Sequence, residues 1–173
     1  MKIKNLKLKI KNFKKGFTLI ETLASISILT LAVIGPLTLA SYAIRSASVS
    51  QNQLTTFYLA QEAMEYIKNR RDNNALADAN WLSGMTNCRS ANGCIIDIPN
   101  NNIQTCPSGC PKLKYDSTTG FYSHQTGSDT IFTRQIKFSQ ISGSEEKVSV
   151  TVSWQEIFGP KSFTLEENIF NWP

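Results

Sequence analysis

Residues 17–44 read FTLIETLASISILTLAVIGPLTLASYAI, an almost unbroken apolar run in which Glu21 is the only charged residue. At a rise of about 1.5 Å per residue, a helix from Phe17 to Ile34 would be about 27 Å long, close to the ~30 Å hydrocarbon thickness of a bilayer. The run therefore predicts a membrane-spanning helix, and the rest of the fold must be built from its end.

Gly35 and Pro36 interrupt the run. Because proline lacks a backbone N–H and clashes with the preceding turn, we expect a kink or a locally melted segment at this point. The helix break is thus predicted at Gly35 and Pro36.

The charge of the chain is unevenly distributed. Its 18 basic and 13 acidic residues give a net charge of +5, but seven lysines fall within residues 1–16, and the remainder has a net charge of −2. Phosphate binding requires Lys and Arg spread over a folded face, so this pattern argues against a nucleic-acid-binding surface. The basic leader instead predicts an N-terminus in the cytoplasm and the remainder of the chain outside the cytoplasmic membrane.

A cleaved secretory signal is the competing interpretation of the apolar run. Ser41, Tyr42 and Ala43 offer a small-residue arrangement of the kind that signal peptidases accept. Two features count against it. An acidic residue inside an apolar run costs up to about 2.5–3.5 kcal/mol on insertion scales, and the helical pattern continues beyond Ala43.

The helical pattern continues to about residue 73, as two apolar stripes with helical spacing. We expect the first stripe to pack on a globular head and the second to face neighbouring copies, with Glu62, Glu65, Lys68 and Arg70 on the solvated sides. Arg70 and Arg71 are expected in the last turn, where they favour the helix dipole. The first stripe comprises Leu54, Phe57, Ala60, Met64 and Ile67, and the second comprises Leu59, Ala63 and Tyr66.

The stretch KKGFTLIE at residues 14–21 closely resembles the prepilin cleavage and methylation motif of type IV pilins and type II secretion pseudopilins. The resemblance implies that a prepilin peptidase cuts after Gly16 and methylates the new N-terminus at Phe17. Residues 57–71, FYLAQEAMEYIKNRR, are similar to the second half of the N-terminal helix in minor pilins and minor pseudopilins of the V and I types. The implied partners are this peptidase, other pilin subunits and the assembly platform with its ATPase.

Glu21 has a physical role in this context. Cleavage would create a positive amine on Phe17 in apolar surroundings, and a carboxylate from an adjacent subunit would offset it. We therefore expect Glu21 to select the register of assembly. The alternative is a glutamate that merely snorkels to the lipid headgroups.

The rest of the chain is expected to form a β-sheet. Residues 148–154 alternate apolar and polar side chains, which is typical of a strand with one buried face. The pattern predicts an antiparallel meander covered by the long helix, an α+β pilin-like fold. A loop anchored by Trp81 and Leu82 precedes the sheet. The other predicted strands are residues 94–98, 113–115, 120–123, 131–141 and 162–170, with a loop at 100–102 and a turn at 159–160.

Four cysteines lie in this head, in a region that the topology places in an oxidising compartment. Disulfides are the first interpretation, and local pairs of Cys88 with Cys94 and of Cys106 with Cys110 are favoured because short loops close easily. The sequence leaves the other pairings open. A zinc site is the alternative, but the Cys88 to Cys94 spacing is too wide for a standard ligand pair.

The sequence offers several candidate catalytic groups, and each has a simpler explanation. His124 lies in a polar loop and is expected to be solvated. Glu145 and Glu146, like Glu166 and Glu167, are neighbours in a strand and must point to opposite faces, so neither pair suits acid/base work. We expect no active site, cofactor, metal or small-molecule substrate. An incomplete calcium-loop pattern at Asp72, Asn74 and Asp78 is interpreted as the end of the helix.

Four segments follow from these patterns: a cleaved leader at 1–16, a membrane and filament-core helix at 17–44, its continuation at 45–73, and an extracytoplasmic head at 74–173. The resemblance implies a structural subunit, a minor pilin or pseudopilin of a pilus, secretion or competence filament, first in the membrane and then at the cell surface. The alternative is a membrane-anchored or secreted adhesin. An apolar patch of Phe121, Tyr122 and Phe132 would favour that alternative.

Overall fold

The computed structural model describes residues 16–156 and 159–171. The lysines of the predicted leader, at positions 2–15, lie outside the described residues. The chain divides into two compact units, residues 1–46 and residues 47–173, and a single helix, α1 (Leu19–Leu76), contributes to both.

The described part of the first unit is the beginning of α1. Its large apolar side chains are exposed, as shown by Ile20 at 76% and Ile28 at 68%. Its hydroxyl groups donate to carbonyls of the same helix, for example Ser25 Oγ to the Glu21 carbonyl at 2.8 Å and Thr38 Oγ1 to the Gly35 carbonyl at 2.7 Å. These hydroxyl groups are therefore satisfied within the helix, as a hydrocarbon environment requires.

The helix is continuous through Gly35 and Pro36. The expected melted segment is therefore not present in this structure, although a kink there stays a prediction. Proline removes one N–H donor, which would have bonded to the carbonyl of Ala32, and the hydrogen bonds on either side of it are sufficient to hold the helix.

The helix also extends three residues past the predicted end at 73, so Arg70 and Arg71 lie before its last turn.

In the second unit, residues 47–76 of α1 present one buried face. This face straddles the two predicted stripes: Leu59 and Ala63 of the second stripe are buried beside Ala60, Met64 and Ile67 of the first. The division into a core stripe and a neighbour-facing stripe was therefore wrong. Stripes offset by one residue lie next to each other on a helix, and the sheet covers both. The first-stripe residues Leu54 and Phe57 are instead 58% and 43% exposed.

Within the described residues, seven strands form one antiparallel sheet. The helix α1 and a short 3₁₀ helix (Thr86–Arg89) precede the strands in the sequence. The strands are β1 (Cys94–Asp97), β2 (Asn102–Thr105), β3 (Lys112–Tyr115), β4 (Tyr122–Ser123), β5 (Ser128–Gln140), β6 (Glu145–Glu156) and β7 (Gly159–Phe170).

Strand β5 is the centre of the sheet. It pairs with β6 along one edge, whereas β3 and β1 share its other edge; β7, β4 and β2 lie beyond β6, β3 and β1 respectively. The α+β architecture is thus confirmed, but only β5, β6 and β7 form the predicted meander. Strand β2 was not predicted, and its first residue, Asn102, was assigned to the loop at 100–102, because the strand has one apolar residue and needs only backbone pairing to β1. Gly159 and Pro160 begin β7 and were wrongly assigned to a turn.

The core lies between the sheet and residues 47–76 of α1. Val148, Val150, Val152 and Trp154 alternate as buried positions along β6, as the period-two pattern predicted. Trp81 and Leu82, the expected anchor of the loop after the helix, are also buried. The core therefore joins helix, loop and sheet within the second unit.

Candidate functional site

The segment that carries the predicted cleavage bond is exposed. Gly16, Phe17 and Thr18 precede α1, and the Phe17 side chain is 78% exposed. A Cβ atom at Gly16 would meet nothing within 4 Å, and its backbone does not have the positive φ that favours glycine. The fold of the described residues therefore does not require glycine at this position.

Thr18 caps the N-terminus of α1. The Glu21 N–H donates to Thr18 Oγ1 at 3.3 Å, and Thr18 and Glu21 have the spacing of a capping box. Glu21 is also the acidic residue of the first turn, where a negative charge is favourable to the helix dipole. The sequence analysis missed this local role, although the T-x-x-E spacing was visible. Among the described residues, no ion pair involves the Glu21 carboxylate.

Gly35 lies in open space within the helix, where a Cβ would meet nothing within 4 Å. Glycine inside a helix costs about 1 kcal/mol relative to alanine. Neither Gly35 nor Pro36 is thus explained by packing among the described residues. They stay the predicted site of a helix break in another state of the protein.

The second unit contains a fully buried arginine that the sequence analysis did not identify. Arg134 Nη1 donates to the Leu59 carbonyl at 3.0 Å and to Glu62 Oε2 at 2.8 Å, and Nη2 donates to the Ile96 carbonyl at 2.9 Å. Burial lowers the pKa of Arg134 below its usual value, although the Glu62 carboxylate opposes this shift. Glu62, which we expected in solvent, thus helps to fix the helix to the sheet.

A buried carboxylate forms a second polar link. Arg89 donates from Nε to Glu146 Oε1 at 3.0 Å and from Nη2 to Glu146 Oε2 at 2.7 Å, and Glu146 is fully buried. Glu146 holds the pKa of Arg89 above its usual value, mainly through this hydrogen bond. The prediction that Glu145 and Glu146 face opposite ways is consistent with Glu145 being only partly buried.

The other helix charges also bind the head. Lys68 Nζ lies 2.9 Å from Glu167 Oε1, and Arg70 Nη1 donates to Asn101 Oδ1 at 3.3 Å. The expectation that Lys68 and Arg70 are purely solvated was therefore wrong, because the buried face of the helix brings its flanks close to the sheet. Asp72 and Asn74 lie within α1, and Asp78 follows it with a positive φ of 52°.

His124 is partly buried, which corrects the expectation of a solvated side chain. Neither ring nitrogen is accessible to solvent or has a hydrogen bond of normal geometry among the described residues, although the Lys112 backbone is close enough to raise the pKa slightly. Desolvation by burial, and after it the Arg134 charge, lower the pKa of His124 to about 4. The turn that carries His124 folds back over β1, which its polar sequence did not indicate.

The aromatic residues of the predicted surface patch do not stay together. Phe132 is buried and packs near Trp154, with ring centroids 6.4 Å apart. Phe121 and Tyr122 instead line an open groove of about 700 Å³ beside α1, together with Tyr58. The patch that would have favoured an adhesin is therefore incomplete.

All four cysteines form disulfides, Cys88 with Cys94 and Cys106 with Cys110, the two local pairs that the sequence favoured. Cys88, Cys94 and Cys106 are buried. Since the sulfur atoms are bonded to each other, they are not thiolates that could bind zinc. The first disulfide joins the 3₁₀ helix to β1.

The comparison with known families gives one result, which falls on the N-terminal segment. A family model described as "Prokaryotic N-terminal methylation motif" matches residues 11–35. The N-terminal segment thus carries a sequence motif of this description. No curated protein and no solved structure matches the chain. The match contains Gly16, Phe17, Glu21 and the apolar run as far as Gly35, and thus supports a pilin or pseudopilin type of subunit.

Proposed function

We propose that this protein is a structural subunit, a minor pilin or pseudopilin, of a type IV pilus or a related secretion or competence filament. Residues 1–16 are a leader removed by prepilin peptidase, and Phe17 is the methylated N-terminus of the mature chain. Residues 17–44 anchor the subunit in the cytoplasmic membrane and later form the filament core. Residues 45–73 continue the helix, and residues 74–173 form the head outside the membrane.

One observation carries this proposal: the matched methylation motif at residues 11–35 includes the beginning of a long apolar helix whose side chains are exposed. None of the large apolar side chains between Leu19 and Ile44 is buried, and α1 is long and apolar enough to cross a membrane. An apolar surface of this size needs lipid or other helices as its environment. A filament subunit is surrounded first by lipid in the membrane and then by the helices of other subunits in the filament.

The glutamate is the residue on which assembly depends in this proposal. Its carboxylate has no partner within the described residues and lies one turn from the amine that cleavage would create on Phe17. Pairing with that amine in an adjacent subunit would offset two charges in an apolar interior. The cap of α1 is formed by the Thr18 hydroxyl and the Glu21 N–H rather than by this carboxylate, so capping and charge pairing can be tested apart.

The test compares Glu21→Gln and Glu21→Val with Thr18→Ala in the cell that produces the filament. Glutamine keeps the capping-box spacing but has no charge, whereas Thr18→Ala removes the cap, worth about 0.5–2 kcal/mol, and keeps the charge. Immunoblots of the sheared-filament and membrane fractions report assembly, and intact mass reports processing.

We expect both Glu21 variants to be inserted and cleaved but to be missing from the filament fraction, because an unpaired cation in an apolar interior costs several kcal/mol. Thr18→Ala should still assemble. If Glu21→Gln assembles as well as the wild type, the proposed assembly function of Glu21 is wrong.

A further inference from the structure

The second unit has an open groove of about 700 Å³ beside α1, within the roughly 300–1,000 Å³ that is usual for ligand sites. One wall of the groove is a single stripe of α1. Gln51, Thr55, Tyr58 and Glu62 line this wall, and their spacing of three and four residues places them on one face of the helix. The proposed filament function, which depends on the N-terminal segment, does not use this groove.

The other wall consists of aromatic residues at the turn between β3 and β4. Tyr115 and Tyr122 are directly opposite each other in the two strands, with ring centroids 5.1 Å apart, and Phe121 lies beside them in the chain. The turn is closed by hydrogen bonds of its own: the Asp116 N–H donates to the Phe121 carbonyl at 3.0 Å, and the Gly120 N–H donates to the Asp116 carbonyl at 2.8 Å. A fixed turn of this kind reduces the entropy that is lost when an occupant binds.

The aromatic rings and the carboxylate of the groove are accessible to solvent. Tyr58 is 63% exposed, Phe121 is 58% exposed and Tyr115 is 41% exposed. The Glu62 side chain is 37% exposed. An occupant can therefore contact these groups without any rearrangement of the core.

The charge of the groove selects a cation. Of the described residues that line it, only Glu62 is charged. Arg134 binds Glu62 Oε2 but is fully buried, so an occupant meets the carboxylate and not the guanidinium. Burial, and after it the charges of Tyr115 and Glu62, raise the pKa of Tyr122, in keeping with a negative field at this wall. Because the faces of aromatic rings also attract cations, both walls favour a positive group.

We propose that this groove binds an arginine side chain of another protein, presented on an extended segment. A planar guanidinium can stack on an aromatic ring and still donate hydrogen bonds in its own plane to a carboxylate, whereas an ammonium is a compact and strongly hydrated charge. The guanidinium would occupy only part of the groove. The Gln51 carboxamide and the Thr55 hydroxyl line the remainder and suit hydrogen bonds to the backbone of the segment. This site is independent of filament assembly.

The experiment is saturation-transfer NMR on the full-length protein in a nonionic detergent, which adds no competing charge. The first probe is a tripeptide with arginine between two glycines and blocked ends, so that the guanidinium is its only charge. The second replaces arginine by citrulline, which has nearly the same shape but is neutral, and the third replaces it by lysine. We expect the arginine peptide to bind with a Kd of about 1 mM, the citrulline peptide about ten-fold more weakly, and the lysine peptide in between.

Variants of the rings test where the peptide binds. Tyr58→Leu and Phe121→Leu keep an apolar side chain but remove the aromatic face, and each should weaken binding of the arginine peptide about two- to five-fold. Both positions are more than half exposed, so the fold tolerates the change. Tyr42→Leu is the matched control, because it makes the same substitution at an exposed residue of the apolar segment 17–44 that does not line the groove. It should leave binding unchanged.

Glu62→Gln tests the charge of the groove and should weaken binding about ten-fold. Since Glu62 also binds Arg134, the folding of this variant is checked by circular dichroism, and the two ring variants decide the matter if it does not fold.

Four results would overturn the proposal. The first is that no peptide binds at about 10 mM. The second is that the citrulline peptide binds as tightly as the arginine peptide, because the groove would then not recognise charge. The third is that the lysine peptide binds more tightly than the arginine peptide. The fourth is that binding of the arginine peptide is unchanged in both Tyr58→Leu and Phe121→Leu, which would place it elsewhere on the protein.

Discussion

Replacing Arg134 by methionine should destabilise the head by about 3 kcal/mol. The guanidinium makes three hydrogen bonds, to the carbonyls of Leu59 and Ile96 and to Glu62. Hydrogen bonds from a charged donor contribute about 1.5–3 kcal/mol each. Against this gross gain stands the cost of keeping a cation fully buried, which is several kcal/mol even after relaxation.

Two features place the net effect at the lower end of the usual 3–5 kcal/mol for removing one member of a buried ion pair. The Glu62 side chain is 37% exposed, so its carboxylate can turn to water when Arg134 is gone. The Leu59 carbonyl lies inside a helix and keeps its helical bond. Arg134→Lys is the matched control: it retains the charge but not the two-pronged donor geometry, and should fall between the methionine variant and the wild type.

The assay is urea unfolding of the full chain in detergent, followed by fluorescence. Trp81 and Trp154 are 7% and 6% exposed and lie in the same core, so their emission reports unfolding of the head. With a slope of about 1–3 kcal/mol/M, a loss of 3 kcal/mol lowers the midpoint by roughly 1–3 M. A methionine variant as stable as the wild type would refute the reasoning, because the guanidinium would then cost as much in desolvation as its hydrogen bonds contribute.

Two further predictions concern the other buried polar groups. Glu146→Gln should cost about 1–3 kcal/mol in the same assay, because it removes a buried charge that accepts two hydrogen bonds from Arg89, while Arg89→Lys should cost less. The pKa of His124 is lowered to about 4, so between the ordinary value of about 6.5 and pH 4 the unfolded state binds the proton more readily. The free energy of unfolding should therefore fall as the pH falls through this interval. His124→Gln should reduce that fall by up to about 2 kcal/mol, allowing for the partial exposure of His124. Parallel pH profiles of the wild type and His124→Gln would contradict this.

The parts of the fold that the sequence predicted are those with a strong local period. The apolar run predicted the first part of α1 by composition and the helical spacing of the two stripes predicted its continuation, while the alternation of Val148 to Trp154 predicted both a strand and its buried face. The short spacings within Cys88–Cys94 and Cys106–Cys110 favoured local pairs because short loops close with little entropy. Each of these signals lies within a few residues of sequence.

What the sequence did not predict depends on long-range contacts. Arg134 and Glu146 were missed because charged residues are usually assigned to solvent, yet both share the strand parity of their buried apolar neighbours, Ile136 and Val148 respectively. That parity was the available signal. Strand β2 had no such signal, since its pairing with β1 uses the backbone. The burial of His124 could not be predicted at all, because it arises where a turn folds back over β1.

The proposed cleavage site depends on the motif rather than on the head. Gly16 and Phe17 precede the helix in an exposed segment, and the matched family model includes both residues. A structural subunit of this type must lose its leader before its helix can enter a filament. Processing is therefore the step on which the whole account depends.

Intact-mass analysis of the protein extracted from membranes of its own cell tests this step most directly. The account predicts one main species that begins at Phe17 and carries a single added methyl group on its N-terminal amine. Peptide mapping of the same sample should locate that methyl group on Phe17. A chain that retains residues 1–16, or one that begins near Ile44 as a secretory signal would leave it, would contradict the account.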